Sequence, residues 1–383
     1  MHVSGAHRAC STSCEIIAAI PPALTFTVFS SHLRDFTSIP VADLVWILES
    51  TPPPLWEQLR KARIFVTGGT GIFGGWMTRS FLHANEQFGL QAHMTLLVRD
   101  AARARAANPD LAAHPAFDFH AGEIADFAFP GGAFTHCLHM ATQSFEPRTP
   151  ANALRKIGTN VQGTLRVLEF AAHSGMRHLL YTSSGAVYGP QPPDVPELPE
   201  TQPFICAPGN PNEAYAVEKR ACEFLCAQAG SASGFTASIA RCFAFTGPGL
   251  PLDANYAVGN FIGDILAKRP ITLQGDGRAV RSYLHFADMS AWLWTLLLCG
   301  EHGQPVNVGA AETIDILNLA QTLRAMAGSS VEIRVLGQAD GRPPQRYVPS
   351  IRRALENYGL TVSLPLEQAL ERTVRFYLDN QSH

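Results

Sequence analysis

Tyr215 and Lys219, four apart in the run Tyr215-Ala-Val-Glu-Lys219, carry the most chemistry in this chain. On a helix, positions i and i+4 share a face. An ammonium held beside a phenol favours the phenolate and lowers its pKa. Such a phenolate takes a proton from a hydroxyl while hydride leaves the same carbon. The pair recurs by chance in many chains, so it needs company. Upstream lies Tyr181-Thr-Ser183-Ser184-Gly-Ala-Val-Tyr188-Gly189. A serine hydroxyl at the end of an apolar run can hydrogen-bond the reacting oxygen.

A hydride needs an acceptor, and the segment Arg63-Ile-Phe-Val-Thr-Gly68-Gly69-Thr-Gly71-Ile72-Phe73-Gly74 offers a seat for one. It reads as strand, turn and helix start. Gly69, Gly71 and Gly74 fit the dinucleotide spacing; Gly68, Gly71 and Gly74 fit a wider variant. In both, glycines let the backbone approach a pyrophosphate, and the helix N-terminus presents unpaired N–H groups and a positive dipole end. The second strand closes with Leu96-Leu97-Val98-Arg99-Asp100, and Arg103 follows. If the strand ends at Val98, Arg99 meets the ribose, and a guanidinium suits the 2′-phosphate of NADP. A shift of one residue gives the place to Asp100 and favours NAD. Without a ligand role, Arg99 and Arg103 are simply a solvated loop.

The elements that position these groups follow from periodicity. Short runs, apolar on both faces, predict parallel strands at Arg63–Thr67, Met94–Val98, Phe117–His120, His136–Met140, Leu179–Ser183, Thr236–Cys242 and Val306–Val308. Between them run helical stretches such as Asn152–Ser174, with Leu154, Ile157, Val161, Leu165 and Leu168 at helical spacing, and Glu213–Gln228. The alternation predicts an α/β fold, a doubly wound parallel Rossmann sheet with a smaller carboxyl-side substrate domain. Residues 61–244 and 288–327 are assigned to the dinucleotide domain, and 245–287 with 328–383 to the substrate domain. Residues 1–60 read as an N-terminal extension, with short helices expected at Val41–Glu49 and Leu55–Leu59. The proline-rich stretch 190–212 reads as a loop over the site.

Composition narrows the classes. A net charge of −3 and the lack of a basic run argue against a nucleic-acid partner. No apolar stretch reaches the ~18 residues of a membrane helix. Ile16 to Phe29 is apolar, but Pro21 and Pro22 break it, and it makes a poor signal peptide. The eight cysteines lack zinc-site spacing, as do the fourteen histidines, so no metal is expected. Cys137, Cys242 and Cys299 read as buried thiols, a usage that fits the cytoplasm. His139 reads as packed and hydrogen-bonded, and Trp292 and Trp294 as core.

With these motifs assembled, residues from about 61 to 378 resemble the extended short-chain dehydrogenases, the NAD-dependent epimerase/dehydratase group. The shared motifs are TGGTGIFG (67–74), HMAT (139–142), NVQGT (160–164), SSGAVYG (183–189), YAVEK (215–219), GDGRAVRSYLH (275–285) and NVG (307–309). The resemblance implies that Ser184, Tyr215 and Lys219 form the catalytic group and that Lys219 also holds the nicotinamide ribose. It implies that Glu123 and Ile124 meet the adenine and that Ala141 and Thr142 line the cofactor. Arg281, Arg342 and Asn260 resemble residues that bind the phosphates of a nucleotide-diphosphate sugar. Guanidinium forks suit a diphosphate on charge grounds alone. The helix Asn152–Ser174 and the Tyr215 helix resemble the family's dimer-forming bundle, which implies a homodimer.

Family dehydratases carry Asp-Glu directly after the serine or threonine, to remove the C5 proton and expel the C6 hydroxyl. Here Gly185 and Ala186 stand there, and neither moves a proton. A 4-epimerase needs no such pair, because its transient 4-keto sugar turns over and takes the hydride back on the other face. The 4-epimerase is therefore the favoured expectation, followed by a 4-ketoreductase and then a 4,6-dehydratase; a cofactor-binding protein without turnover is the remote alternative. One departure concerns the substrate. Many members carry an asparagine for the diphosphate after the sixth strand, where this chain reads Arg241-Cys-Phe-Ala244.

Overall fold

A computed structural model describes residues 39–142, 149–204, 206–207, 209–254 and 256–380. Its strands, in chain order, are β1 (Arg63–Thr67), β2 (His93–Val98), β3 (Phe117–Ala121), β4 (His136–His139), β5 (His178–Ser184), β6 (Thr236–Cys242), β7 (Phe245–Thr246), β8 (Ile271–Leu273), β9 (Val280–Ser282), β10 (Leu284–His285), β11 (Pro305–Val308), β12 (Thr313–Asp315), β13 (Ile333–Val335) and β14 (Arg346–Tyr347). Seven of them form one sheet in the order β3-β2-β1-β4-β5-β6-β11, and every pairing in it is parallel. The expected strands are all present, each within one residue at either end. Parallel strands need crossover helices, and helices on both faces bury them, which is why these runs lack a polar side.

Alternation along β1 shows how two cores are served by one strand. Ile64 and Val66 point into the larger core, with Trp76, Phe81 and Trp294. Phe65 points the other way, into a second core with Phe170, Phe127 and Phe134. There its ring lies 4.7 Å from that of Phe170, edge to face, a favoured aromatic geometry. Four helices carry most of the cover: Ile72–Gln87, Pro150–Ser174, Ala214–Ser233 and Phe286–Cys299. Trp292 and Trp294 are buried in the last of these, as expected for core residues.

The chain leaves β1 for β2 on one side and returns to β4 on the other. That reversal opens a crevice at the carboxyl ends of β1 and β4, where open α/β sheets bind ligands. Beyond β6 the carboxyl-side connections build small sheets of their own. In one, β9 lies between β12 and β14; β7 pairs with β10, and β8 with β13.

The expected N-terminal extension divides. Residues 1–38 lie outside the described residues. The helices Val41–Ser50 and Pro53–Glu57 are built into the body: Leu44, Ile47, Leu55 and Trp56 belong to the larger core. Trp46 Nε1 donates to Asp288 at 3.2 Å, and Arg372 pairs with Asp43 at 2.7 Å.

Candidate active site

At the end of β1, Gly68 turns the chain in the left-handed region (φ +72°), and a Cβ there would lie 2.7 Å from the backbone of Ala141. A Cβ on Gly74 would sit 2.2 Å from the carbonyl oxygen of Gly68. Both positions therefore exclude a side chain. Gly71 differs, because its nearest obstacle would be an ordinary contact at 3.4 Å. Packing does not require glycine there, whereas close approach of a ligand to the backbone would. Gly71 begins the helix Ile72–Gln87, and no side chain caps that N-terminus. The N–H groups of its first turn, at Ile72, Phe73 and Gly74, face the crevice mouth that a pyrophosphate would fill.

The ends of β1 and β4 are tied by polar contacts. Thr67 Oγ1 accepts the Ala141 N–H at 3.2 Å and meets His139 Nδ1 at 2.8 Å. His139 Nε2 meets Thr164 Oγ1 at 3.0 Å. Burial holds this ring neutral, with its pKa lowered to about 3. The packed, hydrogen-bonded role expected of His139 is what the structure has. Ala141 and Thr142 follow directly, at the crevice lip.

Ser183 and Ser184 point to opposite sides of the sheet, because strand side chains alternate. Ser183 donates to the buried carboxylate of Glu223. Glu223 is held from below by Arg241, which donates from Nε at 2.9 Å and from Nη2 at 2.8 Å. Arg241 also donates to Tyr188 Oη at 2.9 Å, and Tyr188 donates to Asn307 Oδ1 at 2.6 Å. This chain of buried partners locks β5, β6, β11 and the Tyr215 helix together. Ser184 is thereby left on the crevice side, where its hydroxyl accepts the Ala186 N–H at 3.2 Å and eases the ionisation of Tyr215.

Lys219 is 2% exposed. It donates to Thr182 O at 2.8 Å, and its ammonium stands 5.9 Å from the Tyr215 ring centre. Only one of its three N–H donors is used by the described residues, which fits the hydroxyls of a ribose. The expected acidification of Tyr215 by Lys219 is corrected here. Burial dominates and pushes the Tyr215 phenol up to about 12, with the Ser184 hydroxyl working against it. Burial also lowers the pKa of Lys219 itself. Removing both groups from water costs the ionised phenol more than the ammonium at this distance returns.

The remaining predicted residues are spread around this centre. β2 ends at Val98, so Arg99 takes the position after the strand and is exposed. Asp100 is occupied in capping the helix Ala101–Ala107, where it accepts the Arg103 N–H at 3.0 Å. Glu123 and Ile124 form the turn after β3, and Ile124 lies over Gly163, whose Cβ would meet it at 2.8 Å. Arg281 lies on β9, in register with Tyr347 on β14. Asn260 lies on the helix Ala257–Leu266, and its Oδ1 is buried without a partner among the described residues. Burial raises the pKa of Tyr256, which precedes that helix, and the Tyr215 phenol adds to the rise. Arg342 stands apart: its side chain is 83% exposed and pairs with Asp340 at 3.0 Å.

Two residues that the motifs did not single out close the site. Phe243 and Tyr347 pack with ring centres 4.7 Å apart. A Cβ on Gly185 would lie 2.7 Å from both Phe243 Cζ and Tyr347 Oη. A side chain at the position after Ser184 would have to displace the tips of these two rings. Phe243 and Tyr347 reach the site from β6's end and from β14, and no local sequence spacing ties either one to Gly185.

A parallel sheet with an uncapped glycine turn and a Ser-Tyr-Lys group at its carboxyl edge defines a dinucleotide-dependent enzyme of the short-chain dehydrogenase type. The chain belongs to the NAD-dependent epimerase/dehydratase family, an enzyme family whose model matches residues 64–309. It is 28% identical over 330 residues to UDP-glucuronic acid decarboxylase 1 of Xenopus tropicalis, covering 86% of this chain and 75% of the relative. It is also 28% identical over 333 residues to UDP-glucuronic acid decarboxylase 6 of Arabidopsis thaliana, covering 83% and 92%. Among solved structures, DesIV, the dTDP-glucose 4,6-dehydratase of Streptomyces venezuelae with NAD and TYD bound, superposes with a TM-score of 0.70 at 25% identity, covering 84% of this chain and 98% of that one. The fold is shared with UDP-glucose 4-epimerase of Thermotoga maritima, with UDP-glucose, at a TM-score of 0.70 and 19% identity, covering 83% and 99%. No helix among the described residues is long and apolar enough to cross a membrane.

Proposed function

We propose that the protein is a nucleotide-sugar 4-epimerase that works through a transient 4-keto sugar. The observation that carries this reading is the Ser184-Tyr215-Lys219 group beside Gly185, which bears no acid and whose side-chain space the Phe243 and Tyr347 rings fill. Ser184 orients the sugar's C4 hydroxyl and Tyr215 removes its proton. After the sugar turns, Tyr215 returns the proton to the C4 oxygen. Lys219 holds the nicotinamide ribose from its place on Thr182 O. A nicotinamide held by Lys219 would supply the hydride acceptor and take the hydride back through the same ring, and its positive charge would lower the phenol's pKa toward the working range. Removal of the C5 proton with loss of the C6 hydroxyl finds no acid–base pair at Gly185 and Ala186.

The cofactor reading is NADP in preference to NAD, supported by Arg99 directly after β2 and by the engagement of Asp100 as a helix cap. The substrate reading is a nucleotide diphosphate sugar, with the Arg281 guanidinium and the Nδ2 donor of Asn260 as its phosphate contacts. Arg342 reaches that site only if its loop closes on the ligand. A homodimer is supported by an apolar face on the two adjacent helices Pro150–Ser174 and Ala214–Ser233, where Leu154 is 75% and Phe224 65% exposed.

A second reading, decarboxylation of a UDP-hexuronate, is favoured by the long matches to UDP-glucuronic acid decarboxylases. Oxidation at C4 would make the sugar a β-keto acid, which loses carbon dioxide without an added base. Both readings need Tyr215. Tyr215→Phe is expected to lower turnover of a responsive UDP- or dTDP-sugar by about 10²–10⁴-fold, with cofactor binding retained. Unchanged turnover in that variant would refute both.

A further inference from the structure

The helix Ala101–Ala107, which follows Arg99 and Asp100, has little apolar contact to hold it. It is 7 residues long, and none of them is buried. Ala101 and Ala104 touch the larger core from part-buried positions. A helix this short is marginal in water on its own. Asp100 caps its start, and Arg105 lies over the Phe119 ring at 5.0 Å. Its far end is tied by Asn108, whose Nδ2 donates to Ala104 O at 3.0 Å. Arg99 stands between the end of β2 and this helix, so the sheet fixes its backbone on one side and the helix on the other.

Asn108 is itself held from the helix of the glycine turn. Arg79, on Ile72–Gln87, is 6% exposed. Its Nη2 donates to Asn108 Oδ1 at 3.3 Å and to Asp110 Oδ1 at 3.1 Å. Its Nε lies 3.0 Å from Asp110 Oδ2, and both side chains of this pair are buried. A guanidinium fork on a carboxylate fixes direction as well as distance. The pair joins two segments that a dinucleotide would touch at different places: the helix whose first turn faces the pyrophosphate, and the segment after β2 that carries Arg99. We propose that Arg79 is a positioning residue for cofactor choice: through Asp110 and Asn108 it holds the helix Ala101–Ala107, and with it Arg99, where the Arg99 guanidinium meets a ribose 2′-phosphate. The proposal rests on the reading of Arg99 as the 2′-phosphate contact.

Specificity is a difference of two affinities. NADPH and NADH differ only in the 2′-phosphate, so a pair that merely holds the fold together affects both alike. A pair that holds Arg99 affects NADPH alone. Two variants separate the parts of the device. Arg79→Met keeps much of the side chain's length and removes the fork. Asn108→Ala cuts the tie to Ala104 O and leaves the Arg79–Asp110 pair intact, so it loosens the helix without stranding a buried charge.

The test titrates NADPH and NADH by fluorescence into the full chain, as wild type and as Arg79→Met, Asn108→Ala and Arg99→Ala. Arg79→Met is expected to weaken NADPH binding about tenfold, the worth of one hydrogen bond to a charged group, and to leave NADH within about twofold. Asn108→Ala should give a smaller loss of the same kind with the melting temperature held, and it decides the matter if Arg79→Met does not fold. Added to Arg99→Ala, Asn108→Ala should weaken NADPH no further. Equal losses for the two cofactors, no loss for either, or a full further loss in the Arg99→Ala background overturns the proposal. If Arg99→Ala keeps the wild-type ratio of NADPH to NADH affinity, the underlying reading of Arg99 fails and the proposal with it.

Discussion

At the scale of single residues, the proposed preference for NADP turns on Arg99. Its guanidinium is exposed just past β2, while the neighbouring acid Asp100 is already accepting the Arg103 N–H. A charge-assisted hydrogen bond contributes about 1.5–3 kcal/mol. Arg99→Asp is therefore expected to weaken NADPH binding about tenfold or more and to leave NADH binding level or improved, as read by fluorescence titration of the two cofactors. Equal loss for both would remove Arg99 from the cofactor site. The glycines of the turn and the Tyr-Lys pair were legible because their chemistry depends on local spacing. Tyr347 was not legible, because its contact with Phe243 and its approach to Gly185 exist only once β14 has docked on β9. The ionisation of Tyr215 was read with the wrong sign, since sequence shows the ammonium but not the burial that outweighs it.

At the scale of elements, the strand boundaries were legible because burial on both faces writes continuous apolar runs. The exchange of roles between Ser183 and Ser184 follows from the two-residue period of β5. What fixes the strands laterally was hidden. Arg241 reads as one basic residue in an apolar run, yet it is 2% exposed and holds Glu223 and Tyr188 at once. Breaking a buried pair by removing one partner leaves a stranded charge, at a cost of about 3–5 kcal/mol. Glu223→Ala is expected to lower stability by that amount and shift the urea midpoint accordingly. Ser184 and the Tyr215 helix would loosen with it. A midpoint equal to that of the wild type would mean that the network contributes nothing to holding β5 and β6.

At the scale of the whole molecule, the chain wraps its own sheet. The helices at Val41–Ser50 and Pro53–Glu57 seal one face, with Trp56 5.2 Å from Trp294. Their residues carry packing and no chemistry, so no motif marks them. The crevice mouth gathers the glycine turn of β1, the serine of β5, the Tyr215 helix and the small sheet of β9 and β14. On the proposed reading, that gathering carries out reversible oxidation at one sugar carbon without elimination. The most direct test incubates the enzyme with a panel of nucleotide sugars in deuterated water, with no added cofactor, and reads the products by NMR and mass spectrometry. A 4-epimerase is expected to yield interconverted epimers that carry no deuterium from the solvent. A 4-keto-6-deoxy product with deuterium at C5 would contradict the account.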